Sequence, residues 1–288
     1  MPGGRLARYL SSSMHRQTRG LVAALALGLA AAACRPAFVI TKFPTNEALY
    51  KASLTEFHKH HWDNAVSGFD KLTLDLGIRD TLLVPSYWYL GWAHERQGDD
   101  LLAAQAFSRL VESFPDDSLA PHAALAAGHA YQALWHKPGL DETYGLTAMQ
   151  TYTMLLQLYA QADTAVADSA RREVAKLNEW FATKEYDTGM FYFRNNAWDS
   201  AILYFKDVVA KWPQTNHGRL AMLRLAESYR KIHYNDDLAD ICQQMRARYP
   251  NDRDVAGDCH GVKAPADTTR APADSARGSG APALPLPR

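Results

Sequence analysis

The sequence predicts an all-α protein in which helical hairpins follow one another and stack, and three observations support this fold class. The stretch from Tyr87 to Pro115 contains two amphipathic segments separated by Gly98-Asp99-Asp100, a turn with an Asp able to cap the second helix. A small residue four positions before a large one recurs, first as Ala65 and Phe69. Equivalent positions recur at intervals of 38, 45, 53 and 37 residues, and such periods are typical of stacked repeats.

The spacing within the central stretch identifies the type of hairpin. Leu90-Gly91 begins three residues after Tyr87, Ala103 precedes Phe107 by four, and Pro115 closes the segment, as in the tetratricopeptide repeat (TPR) pattern. The small glycine and alanine allow close helix approach, and the proline ends the second helix. Because one hairpin cannot bury its own apolar face, we predict a TPR-type helical-hairpin solenoid of about five repeats, or ten helices.

The five repeats are predicted to form one domain over residues 46–260, and two of them are irregular. The third is lengthened by a loop at Trp135–Gly139. The fourth begins with a long helix from about Val166 to Arg194, because apolar residues recur there every three to five positions. The predicted boundaries lie near residues 46–80, 82–116, 120–162, 166–214 and 216–250.

The N-terminal residues predict an export signal. Arginines precede an uncharged apolar run of 13 residues, Leu21 to Ala33, which is short for a membrane span and typical of a secretory signal. The run ends in alanines before Cys34 and so resembles a bacterial lipobox, in which this cysteine is diacylated. Residues 1–33 are therefore interpreted as a lipoprotein signal peptide and residues 34–45 as a lipid-anchored tether. A plain signal peptide cleaved after Ala-x-Ala is the alternative.

Two features near the ends of the chain stay open. Either Met1 or Met14 could be the start, since the shorter version makes a more compact signal. At the other end, Cys242 and Cys259 could form a disulfide in an oxidising periplasm, or remain as unpaired thiols. Residues 263–288 are almost entirely Ala, Pro, Asp, Ser, Thr, Gly and Arg, a composition that predicts a disordered tail.

The composition excludes several classes of function. A formal net charge of zero argues against a general electrostatic attraction to nucleic acid. The sequence has no Gly-rich phosphate loop, Ser-His-Asp order or paired carboxylate motif, so we predict neither an enzyme nor a cofactor. His58, His60 and His61 do not converge well on a helix end, and no metal site is predicted.

One face of the first helices is a candidate surface for an extended, aromatic-rich peptide. Residues four apart share a helix face, which places Trp88 and Trp92 together. Aromatic rings there would act as rigid anchors, although the two tryptophans could instead pack against neighbouring helices. The candidate peptide-binding residues are Tyr50, Phe57, Trp88, Trp92, Glu95, Arg96, His129 and Gln132.

The order of these features resembles the BamD (YfiO) family of outer-membrane assembly lipoproteins over roughly residues 34–250. The resemblance rests on the lipobox, the five repeats, and the segment Lys184–Phe193 leading to Ala197-Trp198-Asp199-Ser200-Ala201. Asn195-Asn196 stands where the family often has a basic residue and glycine, so a basic contact at that turn is not implied.

The resemblance implies a non-enzymatic lipoprotein on the periplasmic face of the outer membrane. Its C-terminal repeats would dock on a POTRA domain of a BamA-like barrel insertase, and its N-terminal repeats would receive peptides of unfolded outer-membrane proteins. The candidate docking residues are Arg194, Trp198, Arg224 and Arg230, although surface solvation explains each arginine equally well. A TPR lipoprotein that coordinates peptidoglycan synthesis or envelope constriction is the alternative.

Overall fold

The computed structural model describes residues 38–263, and this span contains eleven α-helices, one short 3-10 helix and no β-strand. The predicted all-α class built from TPR-type helical hairpins is confirmed. The predicted signal peptide 1–33, Cys34 and residues 264–288 of the predicted tail lie outside the described residues. Within the described part, no helix combines the length and apolar character needed to cross a lipid bilayer.

The first of two compact units ends at Gln97. After a 3-10 turn at Ile40–Lys42, this unit contains α1 (Asn46–His58), α2 (Trp62–Asp75) and α3 (Leu83–Gln97). Helices α1 and α2 pack as a hairpin around a glycine. A Cβ atom added to Gly68 would lie 1.9 Å from Ser53 Oγ, so only a residue without a side chain fits this approach. The repeated pair of Ala65 and Phe69 is fully buried on the inner face of α2.

The second unit begins at Gly98, and each of its helices contacts the next one along the chain. Gly98 has φ 86°, a left-handed conformation that favours glycine at a helix turn. Among residues 38–263, ten long helices match the predicted number, and a short helix at Arg253–Asp258 is additional. The helices are α4 (Asp100–Ser113), α5 (Ala120–Leu134), α6 (Thr143–Tyr159), α7 (Thr164–Arg194), α8 (Trp198–Lys211), α9 (Asn216–Lys231), α10 (Asn235–Arg248) and α11 (Arg253–Asp258).

The long helix α7 packs against helices of the third, fourth and fifth predicted repeats. It starts at a cap, where the Asp163 side chain accepts a hydrogen bond from the N–H of Val166 at 3.0 Å. Along its length it packs against α5, α6, α8 and α9. Leu177 and Phe181 are buried on its inner face. The helix therefore joins the third predicted repeat to the fourth and fifth.

The loop after α5 is fixed by a buried indole. Trp135 is 1% exposed, and its ring lies against the rings of Trp180 and Phe181, with centroids 5.4 Å and 4.7 Å away. From α7, Lys184 donates a hydrogen bond to the carbonyl of Leu140 at 2.9 Å. The lengthened loop is thus anchored by side chains from the long helix.

The last described helix is attached to the second unit by covalent and ionic contacts. Cys242 of α10 and Cys259 after α11 form a disulfide, with their Cα atoms 5.5 Å apart. The guanidinium of Arg219 on α9 donates to Asp252 at 2.5 Å and to Asp254 at 2.6 Å. A helix of six residues is too short to be stable alone, so these contacts hold α11 in place.

Candidate functional site

The turn between α1 and α2 shapes a pocket in the first unit. Helix α1 ends at His58 and α2 begins at Trp62. Between them, His60 adopts a left-handed conformation with φ 62°, which is uncommon for a residue other than glycine. The imidazole of His60 stacks on the indole of Trp62, with ring centroids 5.1 Å apart and planes inclined by 21°. The turn therefore presents one imidazole and one indole together.

The pocket beside this turn combines aromatic rings with basic groups. Its volume is about 330 Å³, which is near the lower end of the range for sites of small ligands. A pocket of this composition can enclose an aromatic side chain and place a carboxylate against a guanidinium. Three of its residues belong to the predicted peptide-binding set and three do not. The lining residues are Phe57, Trp92 and Arg96 from that set, with His58, His60 and Trp62.

A connected group of rings supports the pocket from within the first unit. The ring of Phe57 meets Trp62 and Tyr89 edge-on, each with a centroid distance of 5.2 Å. Tyr89 stacks on Phe69 at 5.5 Å, and Tyr50 meets Phe69 edge-on at 5.7 Å. Burial raises the pKa of the Tyr50 hydroxyl, and nearby Tyr89 raises it further. Tyr50 thus packs behind the pocket and does not line it.

The carboxylate of Glu56 stabilises the turn between α1 and α2. Glu56 Oε2 lies 2.8 Å from Nδ1 of His61 and accepts a hydrogen bond from the Asn64 amide at 2.6 Å. Burial alone would raise the pKa of Glu56, but the hydrogen bonds from Asn64 and His61 lower it overall.

Among the described residues, no three His, Cys, Asp or Glu side chains converge as a metal site.

The predicted face of α3 contributes unevenly to the pocket. The rings of Trp88 and Trp92 meet edge-on at 5.6 Å, as expected for residues one turn apart. Trp92 and the exposed Arg96 line the pocket, whereas Trp88 and the half-buried Glu95 do not. A peptide-binding role for this face remains a prediction, which the geometry narrows to Trp92 and Arg96.

His129 and Gln132 lie on α5 in the second unit and have different environments. Gln132 is buried, accepts a hydrogen bond from the Tyr152 hydroxyl at 2.9 Å, and donates one to Glu173 at 2.9 Å. Its amide is therefore bound inside the unit, and Gln132 does not belong to an exposed surface. His129 is on the exposed side, with its ring 5.9 Å from that of Tyr152.

The predicted docking residues converge in part near the end of α7. The ring of Phe193 meets Trp198 of α8 edge-on at 5.0 Å, and the guanidinium of Arg224 on α9 lies 5.5 Å from the same ring. Three consecutive helices thus bring two predicted docking residues together around Phe193, which ends the Lys184–Phe193 segment but is not among the predicted docking residues. We call Phe193, Trp198 and Arg224 the Phe193 cluster.

The other two predicted arginines, Arg194 and Arg230, are not part of the Phe193 cluster. Arg194 is exposed at the last position of α7. Arg230 donates a hydrogen bond to the backbone carbonyl of Asp258, so it helps to hold the C-terminal end of α11. Phe191 of α7 and Leu203 of α8 are apolar side chains that are 62% and 63% exposed, and neither is among the predicted docking residues. Each lies outside the series of buried apolar positions of its helix, and this is the sequence signal that could have indicated an exposed apolar residue.

Comparison with known proteins identifies relatives of this chain. The family model YfiO, described as an outer membrane lipoprotein, matches residues 43–244. The outer membrane protein assembly factor BamD of Caulobacter vibrioides is 25% identical over 238 residues, covering 81% of this chain and 75% of that protein.

Solved TPR structures are also similar to parts of the chain. The P58(IPK) TPR domain has a TM-score of 0.39 and 14% identity, over 74% of this chain and 54% of that one. The TPR2AB domain of yeast Sti1, in its pHSP90 complex, has a TM-score of 0.35 and 15% identity, over 74% and 81% of the respective chains. Both TM-scores are low, so the fold class rests on the helices described above.

Proposed function

Because the chain belongs to the YfiO family of outer membrane lipoproteins, we propose that it is a non-enzymatic component of the machinery that assembles β-barrel proteins in the outer membrane. The observation that carries this proposal is the match of the family model across residues 43–244, which include both the pocket and the Phe193 cluster. The similar Caulobacter vibrioides protein is itself named an outer membrane protein assembly factor. In this role the helices hold other proteins and perform no chemical reaction.

The proposed location is the periplasmic face of the outer membrane. Removal of residues 1–33 would leave Cys34 at the mature N-terminus, where two acyl chains provide a stable anchor. Residues 34–45 then act as the tether between lipid and helices. A Cys34→Ser variant should lose the acyl mass and move from the membrane fraction to the periplasmic fraction. An unacylated wild-type chain would contradict this part of the proposal.

In the proposed mechanism, the pocket of the first unit receives a segment of an unfolded outer-membrane protein. An aromatic side chain of the segment enters between Phe57, Trp62 and Trp92, where rings contribute large contact area at little cost in side-chain entropy. A carboxylate of the segment pairs with Arg96, which is exposed at the pocket edge. The walls are preorganised by the ring contacts behind them, which favours binding.

The Phe193 cluster is the proposed contact with a POTRA domain of a BamA-like barrel insertase. The guanidinium of Arg224 also donates a hydrogen bond to Glu227 at 2.6 Å, which fixes its position over the ring. Arginine beside aromatic residues is a frequent composition of the energetic centre of protein interfaces. Arg194 extends the basic character of the same end of α7.

A peptide titration tests the pocket. The probe is a fluorescent decapeptide of alternating apolar residues that ends in phenylalanine, prepared with a free carboxylate or with a terminal amide. Arg96→Gln should weaken binding of the free-acid peptide about tenfold, since a hydrogen bond to a charged group contributes roughly 1.5–3 kcal/mol. The amide peptide should be insensitive to this change. Arg79→Gln, at an exposed arginine of the same unit, is the matched control.

Depletion in cells tests the wider role independently of the pocket. Loss of the protein should lower the amounts of folded β-barrels in the outer membrane, measured by blotting. Co-purification should recover a BamA-like insertase. Unchanged barrel levels together with recovery of cell-wall synthases would instead support the alternative of a lipoprotein that coordinates peptidoglycan synthesis.

A further inference from the structure

An apolar groove in the second unit is separate from both surfaces discussed above. It lies among α4, α5 and α6 and has a volume of about 740 Å³. Its lining includes Ala124 and Ala127, which are buried and have small side chains. Its walls include Val111, Met154 and Leu158, the last of which is 60% exposed. Exposed apolar surface of this kind usually marks an interaction site.

We propose that this groove binds a segment of the same chain, residues 281–288, with the sequence Ala-Pro-Ala-Leu-Pro-Leu-Pro-Arg. Among residues 264–288, Leu284 and Leu286 are the only large apolar side chains. They alternate with prolines, a sequence that favours the extended polyproline II conformation with little entropy to lose on binding. Such segments dock in grooves that contain aromatic rings, and Tyr131 and Tyr159 line this one.

The length of the connecting chain permits this contact. Lys263 follows α11, and α6 is five helices earlier in the second unit. With packed helices about 8–10 Å apart, five successive helices span roughly 40–50 Å across their axes. The residues between Lys263 and Leu284, at about 3.1 Å each in a polyproline II conformation, can extend roughly 60 Å.

Charge and tethering both favour the segment over a free ligand. Glu112 lies in the groove lining, and Arg288 follows Leu286 by two residues, so their opposite charges can meet. Because the segment belongs to the same chain, its effective concentration at the groove is on the order of millimolar. Even a weak intrinsic affinity is then sufficient for occupancy.

Photo-crosslinking of the full chain tests the proposal. Benzoylphenylalanine is placed at Gln150, an exposed residue of the groove lining, and cross-linked peptides are identified by mass spectrometry. The expected products join position 150 to residues 281–288 of the same molecule, at a yield independent of protein concentration. Substituting Leu284→Asp together with Leu286→Asp should reduce this yield about tenfold, because the apolar contact is lost.

A matched pair of leucines on α6 separates the groove from general surface contact. Leu158→Glu changes an exposed residue of the groove and should reduce the yield by a similar factor. Leu146→Glu changes an equally accessible residue outside the lining and should leave the yield unchanged. Products between two copies, absence of products with residues 281–288, or an equal yield from benzoylphenylalanine at the exposed Leu203 would overturn the proposal.

Discussion

Glu179, on the long helix α7, binds the first turn of α9 through His217. Its Oε1 atom accepts a hydrogen bond from the backbone N–H of His217 at 3.2 Å and lies 2.5 Å from the imidazole Nδ1. Its Oε2 atom accepts another from the N–H of Asn216 at 2.7 Å. The first N–H groups of a helix lack partners within that helix, so a carboxylate from α7 satisfies them and interacts favourably with the helix dipole.

This contact predicts a measurable contribution of Glu179 to stability. Glu179→Ala should lower the free energy of unfolding by about 1–2 kcal/mol, since both N–H groups and the imidazole lose their acceptor. Urea unfolding followed by circular dichroism measures the change. Asp187→Ala, at an exposed position of the same helix, should change it by no more than about 0.5 kcal/mol. Equal effects of the two substitutions would contradict the capping role.

Gly145 predicts a second effect on stability, through the loop after α5. A Cβ atom at this position would lie 2.1 Å from Cε3 of Trp135, which is fully enclosed. Gly145→Ala should therefore lower the free energy of unfolding by roughly 1–3 kcal/mol, despite the better helix propensity of alanine.

Thermal unfolding and the fluorescence of the displaced indole report the change at Gly145. Gly139→Ala, in the loop before α6, is the control, because a Cβ atom there would have no neighbour within 4 Å. If both variants melted at the wild-type temperature, Trp135 would not be held as tightly as the structure indicates.

The helical hairpins could be predicted because their determinants are local in sequence. Ala65 and Phe69, like Ala201 and Phe205, are fully buried, as the spacing of small and large residues indicates. The long helix α7 followed from an uninterrupted apolar period. These features depend on residue size and on the spacing of residues along a helix, and both can be read from the sequence.

Contacts between distant side chains could not be predicted in the same way. His60 has a left-handed backbone conformation, which the sequence does not indicate because no glycine stands there. The burial of Gln132 depends on Tyr152 and Glu173, which belong to two later helices. Glu179 is separated from His217 by 38 residues. For the same reason, the sequence predicted three of the pocket residues and missed His58, His60 and Trp62, which lie at the turn between α1 and α2.

The ionisation of Asp252 predicts that the stability of α11 depends on pH. The pKa of this carboxyl is lowered to about 2, mainly by the hydrogen bond from Arg219. Burial raises this pKa, whereas the hydrogen bonds from the N–H groups of Val255 and Asp254 lower it further. The unfolded value is about 3.9. Because the folded pKa is the lower one, the stabilisation is complete above about pH 3.9 and is lost as the pH falls through about 2.

Hydrogen exchange of the α11 amides, compared between wild type and Asp252→Asn, measures this effect. Asparagine keeps the capping side chain, so the variant removes mainly the charge. Protection should be lower in the variant at pH 5, and the difference should shrink as the pH approaches 2. A difference that stayed constant over this range would exclude the Asp252 carboxylate as its source.

The disulfide between Cys242 and Cys259 predicts that reduction loosens α11. The bridge closes a loop with a sequence separation of 17, and loops of similar length contribute about 3 kcal/mol. Replacing both cysteines with alanine, or adding a reductant to the wild type, should expose the segment after Pro250 to limited proteolysis. The alanine variant should not respond to the reductant, and equal cleavage of oxidised and reduced wild-type protein would count against the prediction.

The Phe193 cluster predicts which arginine controls binding of the proposed insertase. Arg224→Gln should lower co-purification of the BamA-like partner several-fold, because the guanidinium over the ring of Phe193 is lost while α9 stays intact. Arg230→Gln should instead increase hydrogen exchange in α11, since Arg230 binds the carbonyl of Asp258, and should affect recovery less. Lys231→Gln, at the exposed end of the same helix, controls for loss of a positive charge. If all three variants lowered recovery equally, general charge attraction would explain the binding and the Phe193 cluster would have no specific part in it.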